Sequence, residues 1–122
     1  MRERGAGTVE LIIATPLLML LLFAIVQFAV WSHATHIAQA AAAQGLAATR
    51  TEGGTTSAGN AAAAEVLAQL GDGPLEGAVV DVTRDADGAA VRISGTAAPV
   101  VPFLNLPVHA EASGPVERWT VG

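Results

Sequence analysis

The 122-residue chain has no cysteine and no lysine, and only 14% of its residues are charged. Without cysteine there is no disulfide framework, so a domain outside the cytoplasm must be held by its own core or by neighbours. Without lysine, the six basic residues are all arginine and face eleven acids, for a formal net charge of −5. Phosphate binding needs clustered cations, so a nucleic-acid partner is not expected. The residue patterns of catalysis are missing as well: no Ser-His-Asp order, no glycine-rich phosphate loop and no pair of acids in an apolar pocket. The chain therefore reads as no enzyme, with no cofactor and no small-molecule substrate.

Two metal-like patterns fail on inspection. Asp85-Ala-Asp87-Gly88 has the look of a calcium loop, but Thr83 would be its first ligand and Ser94 its twelfth, so the coordinating set is incomplete. His33 and His36 lie three apart on a helix with no third ligand nearby, and His109 is isolated. No metal is expected.

What the chain does have is a long apolar run. Leu11 to Trp31 carries no charge and follows a short leader containing Arg2 and Arg4. At about 1.5 Å per residue such a helix is about 30 Å long, the hydrocarbon thickness of a bilayer. A cleaved secretory signal would be shorter and would end at small residues, whereas this run ends in Phe28 and Trp31. A plain single-pass anchor accounts for the length but leaves Glu10 at the edge of the span without a purpose. The leader arginines place residues 1–5 in the cytoplasm and everything beyond Trp31 outside it. Pro16 removes a backbone donor inside the span and predicts a kink or local loosening over residues 12–16.

A third reading uses all of these residues. Gly5 closes the basic leader, Glu10 is the fifth residue counted from Ala6, and the apolar helix starts directly behind it. Arg4-Gly5, Val9-Glu10 and Pro16 followed by Leu17 and Leu18 resemble the class III signal of type IV pilin-like proteins. Within that group they resemble the TadE-like family of tight-adherence (Flp-type) pilus systems. Leu11 stands where major Flp pilins usually carry tyrosine, which points towards a minor pilin or pseudopilin. The resemblance implies a prepilin peptidase that cuts between Gly5 and Ala6, where the missing glycine side chain lets the scissile backbone enter a narrow site. It also implies other pilin-like subunits and pilus assembly machinery as partners in the cytoplasmic membrane. Glu10 would then lie about one turn from the new amino terminus, where it could pair with an ammonium group, its own or a neighbour's, and set registry.

Beyond the membrane the composition stays helical to Arg50, with Ala34, Ala38, Ala41, Gly45 and Ala48 recurring at steps of four and three. Such a stripe of small side chains lets another element approach the backbone closely, either another subunit or the protein's own domain. Residues 51–59 read as a flexible loop. A second helix is predicted from an Asn60 cap to Leu70, stopped by Gly71. From Gly77 the period turns to alternation: Val80 and Val82, then Val91 and Ile93 beyond an Asp-Gly turn, then Val108, Ala110 and Ala112. Phe103, Leu104 and Leu106, in the Pro-punctuated stretch between the last two runs, are expected to fill the gap between sheet and helix, or else to form an exposed docking patch.

The sequence thus predicts an α+β, pilin-like chain. Its parts are a leader over 1–5, a transmembrane and extended helix over 6–50, a loop over 51–59, and a small extracytoplasmic domain over 60–122 with one short helix and a three-stranded antiparallel sheet. The function it implies is that of a minor pilin or pseudopilin; the alternative is a single-pass membrane-anchored extracytoplasmic binding module that does not polymerise.

Overall fold

A computed structural model describes residues 2–51 and 53–116, with side chains from residue 7 onward. Met1 of the leader, Glu52 of the expected loop and residues 117–122 of the expected domain lie outside the described residues. The element order is α1 (Arg2–Arg50), α2 (Thr56–Leu70), β1 (Leu75–Arg84), β2 (Gly88–Ala97) and β3 (Pro107–Pro115). The architecture is the α+β arrangement that the sequence predicts.

Helix α1 is a single 49-residue helix with Pro16 inside it. Its composition changes along its length, from bulky Leu, Ile, Met and Phe to Ala and Gly, and its surroundings change with it. The first part has no other element against it, whereas from Gln27 onward the rest of the chain packs along one side.

Helix α2 begins at Thr56, and its cap lies five residues earlier than the sequence predicts. Asn60 is not its cap and is exposed inside the helix. The cap is Thr55, whose extended backbone lets its hydroxyl accept from the Ala58 amide at 3.0 Å. A hydroxyl-rich segment offers several candidate caps, and packing selects among them. An earlier start brings Gly59 against α1, where a Cβ would collide with Thr49 Oγ1 and lie 2.9 Å from the Gly45 carbonyl oxygen. The helix ends at Gly71, whose amide donates to Leu67 O at 2.8 Å.

The three strands form one antiparallel sheet in the order β1-β2-β3. Strand β1 starts at Leu75, earlier than alternation suggests, because the register slips between Glu76 and Val79. Gly77, at φ 60, supplies the left-handed residue that such a bulge requires. One extra residue changes which side chains face inward: Leu75 is buried before the bulge, and Val80 and Val82 are half-buried after it. The β1–β2 turn is organised by Asp85, whose Oδ1 accepts from the Asp87 and Gly88 amides, both at 2.8 Å. These bonds hold the Asp85 carboxyl below its usual pKa, the Gly88 bond contributing most. Gly88 closes this turn without a positive φ.

The core lies between the inner face of the sheet and the two helices. Val91, Ile93 and Val108 are fully buried against Ala34, Ala38, Ala41, Ala42 and Leu46 of α1 and Ala63 of α2. Each such aliphatic side chain contributes about 1.5–3 kcal/mol by leaving water. Phe103 and Leu104 do not fill this core. Phe103 is 99% exposed and Leu104 is 38% exposed, and of the three apolar residues in that connection Leu106 alone packs against the buried cluster. The alanine-rich face of α1 already meets the sheet closely, so no gap remains for a phenyl ring.

Candidate functional site

The residues singled out by sequence are strung along α1. Gly5 and Ala6 fall within its first turns, Glu10 is exposed one turn beyond Ala6, and the helix passes through Pro16 unbroken. From Val9 to Val26 every large apolar side chain is exposed. None of the most apolar 18-residue window is buried within the molecule, and the helix is long and apolar enough to cross a membrane. Large side chains exposed on all sides of a helix suit a lipid environment and not water.

The bare stretch ends at Gln27. This side chain is only 1% exposed although it lies in the run that the sequence reading treated as one apolar span. Its Oε1 accepts from the backbone amides of Val100 at 2.7 Å and Val101 at 3.1 Å, and its Nε2 donates to Ala98 O at 3.2 Å. One amide thus satisfies three backbone groups of the β2–β3 connection, which spans residues 98–106. One turn further on, Trp31 Nε1 donates to Pro107 O at 3.0 Å. The Trp31 ring lies 5.9 Å from that of Phe28, which faces outward. The sequence marks Trp31 as the end of the apolar run and gives Gln27 no role. The signal was present, because Gln27 is the sole amide side chain between Leu11 and Trp31.

Beyond Trp31 the small residues come into use. Ala34, Ala38, Ala41 and Gly45 are buried and Ala48 is half-buried. A Cβ on Gly45 would lie 3.1 Å from Gly59 O, 3.2 Å from Ala63 Cβ and 3.3 Å from Val91 Cγ1. The stripe is therefore covered by the chain's own α2 and sheet. Thr49, fully buried, donates its hydroxyl to Gly45 O at 2.7 Å and so needs no outside partner. His33, His36, Gln39 and Ala43 are exposed on the other side of the helix.

The outer face of the sheet is polar and shallow. Arg92 pairs across strands with Asp81 and Glu111, and its Nε lies 3.4 Å from Glu111 Oε2 with both side chains largely exposed. An exposed pair of this kind contributes about 0–1 kcal/mol. Among the described residues no three His, Cys, Asp or Glu side chains come together in a metal-binding arrangement.

The family model described as TadE-like protein matches residues 5–46. The matched segment takes in Gly5, Ala6, Glu10, Pro16 and the small residues as far as Gly45, and ends where α1 is packed against its own domain. No curated protein and no solved structure matches the chain. The match covers about a third of the 122 residues and points to involvement in tight-adherence pilus systems, in association with the membrane and with pilus machinery.

Proposed function

We propose that the chain is a minor pilin or pseudopilin of a tight-adherence (Flp-type) pilus system, anchored by α1 with its amino terminus in the cytoplasm and its domain outside. The observation that carries this reading is the match over residues 5–46, which begins at the proposed cleavage glycine and coincides with a helix whose bulky apolar side chains are bare from Val9 to Val26. A prepilin peptidase hydrolyses the Gly5–Ala6 bond and leaves a free ammonium group on Ala6. Glu10, four residues on, pairs with that group or with the one on a neighbouring subunit, which fixes registry as the bare helix leaves lipid for an assembly. Pro16 leaves the carbonyl four residues before it without its helical donor and so gives the span a point of local softness.

The amino-terminal sequence of the protein recovered from its native membrane, with and without the host's prepilin peptidase, tests the reading. A start at Ala6 that depends on the peptidase supports it, and a start at Met1 contradicts it. Gly5→Trp should block processing, whereas Glu10→Ala should leave processing intact and impair piliation. Equal piliation in Glu10→Ala and wild-type cells would remove the registry role.

A second reading, a single-pass anchored binding module that does not polymerise, is favoured by one observation. The small-residue stripe is already occupied by the chain's own domain and is closed to another subunit. Wild-type piliation in cells lacking the protein, with Met1 retained on the mature chain, would favour that module.

A further inference from the structure

We propose that the β2–β3 connection, residues 98–106, is a second membrane contact. It lies in the outer-leaflet interface of the bilayer that α1 crosses, with Phe103 inserted at the boundary between headgroups and acyl chains. The proposal rests on the reading of α1 as a membrane span.

Length places the connection at this level. Glu10 marks one edge of the apolar stretch, and Leu11 to Val26, the part with no buried residue, is about 24 Å long at about 1.5 Å per residue. A hydrocarbon core of about 30 Å extends about four residues further, to the neighbourhood of Val30. The segment in which the hydrocarbon must end, Gln27 to Trp31, is the one to which the connection is fastened. Gln27 holds Ala98, Val100 and Val101, and Trp31 holds Pro107. Any tilt of the helix lengthens the path through the bilayer and moves the boundary further into this segment.

The chemistry of the connection agrees with that level. From Ile93 to Val108 there is no charged residue, in a chain whose net charge is −5. Pro99, Pro102, Phe103 and Leu104 are exposed, and Phe103 is 99% exposed. The Leu104 amide donates to Val101 O at 3.2 Å, closing a turn with Pro102 and Phe103 at its centre. Phe103 holds φ 75, a left-handed conformation that a bulky side chain adopts at a cost in water without any packing in return. In an interface the same turn presents a ring to acyl chains, as aromatic side chains do at membrane boundaries. Phe28, exposed beside Gln27, supplies an aromatic ring at the same level of α1. Depth is limited by the adjoining α2–β1 connection, which is tied to this one through Ala98 N to Pro74 O at 2.9 Å and carries exposed Asp72. That carboxylate stays among the headgroups, so the connection enters the interface and stops there.

Because the described chain has no cysteine, single nitroxide labels can be placed cleanly on the full-length protein in vesicles of phosphatidylethanolamine and phosphatidylglycerol. Leu20→Cys reports the span, Ala86→Cys the far hairpin, and Phe103→Cys and Leu104→Cys the connection; the last leaves the ring in place. The expected result is that labels at 20, 103 and 104 collide preferentially with oxygen, and the label at 86 with a water-soluble nickel chelate. Adding Phe103→Gly, which relieves the left-handed residue and keeps the turn, should lower the oxygen-to-nickel ratio at 104 several-fold. Nickel access at 103 and 104 equal to that at 86, with 20 still in lipid, would overturn the proposal and leave the span standing. Nickel access at 20 would remove the span, and the proposal with it. Shielding of 103 from both reagents, with spin–spin broadening, would mean a second subunit there and would also overturn it.

Discussion

Val9 to Val26 and Gln27 to Thr49 belong to one unbroken helix, yet almost nothing about their side chains is alike. The first stretch carries large apolar side chains, all of them exposed. The second is mostly alanine on the side where a sheet and a helix press against it, with Gly45 and Thr49 and only Ile37 and Leu46 as large buried aliphatics. Burying apolar area is the aim in both, but lipid can mould itself around large side chains, whereas a rigid sheet needs flat ground. A single helix can therefore be written for two solvents, and the change of side-chain size marks where one gives way to the other.

The contrast breaks most visibly where backbones are closest. Gly59→Leu should drive α2 off α1, because a Cβ there already collides with Thr49 Oγ1. A loss of about 3 kcal/mol is expected, at the upper end for overpacking, read as faster amide exchange in β2 of the full-length protein in detergent. Gln27→Leu should cost about 2 kcal/mol, because the Val100 and Val101 amides and the Ala98 carbonyl lose their buried partner. Exchange at Val100 and Val101 should rise while α2 stays protected. A matched pair sharpens the comparison further. Ala38→Leu, at a position with no exposed surface, should destabilise the domain by about 1–3 kcal/mol. Leu18→Ala, in the bare stretch, should change domain exchange by no more than about 0.5 kcal/mol.

The smallest effect lies farthest from the membrane. In the folded chain the Asp85 carboxyl is held below its ordinary range by the Gly88 and Asp87 amides, so the unfolded chain binds its proton first. The contribution of the turn is complete above the ordinary carboxylate range and is lost as the pH falls through the lowered value. Protection of the Gly88 amide should therefore weaken on acidification in the wild type, and should be flat with pH in Asp85→Asn.

Periodicity carried most of the architecture. Bulky all-round hydrophobicity marked the span, steps of four and three marked the packed side of α1, and alternation marked the three strands. What periodicity missed were features decided by contacts between distant residues. The start of α2 depends on Gly59 meeting α1, and several hydroxyl residues could have capped it. The first residues of β1 are out of phase with the rest because the bulge at Gly77 resets which side faces inward. Gln27 was legible as an oddity in an apolar run, but its purpose depends on backbone more than seventy residues away. Phe103 was expected either to fill the gap between sheet and helix or to form an exposed patch, and only the contacts of the folded chain decide between the two. Gly5, Ala6 and Glu10 were singled out by their spacing alone, and the roles proposed for them depend on partners outside this chain.

A cysteine scan along α1 tests the division most directly. Single cysteines from Leu11 to Ala43 in the full-length protein, held in vesicles and treated with a membrane-impermeant maleimide, should be unreactive from Leu11 to Val26. Beyond Trp31 the scan should become periodic, with positions 33, 36, 39 and 43 reactive and positions 34, 38, 41 and 42 protected until the domain is unfolded. Reaction at positions 11–26 as fast as at His36→Cys would mean that the bulky stretch meets water, and the division of α1 between two solvents would be wrong.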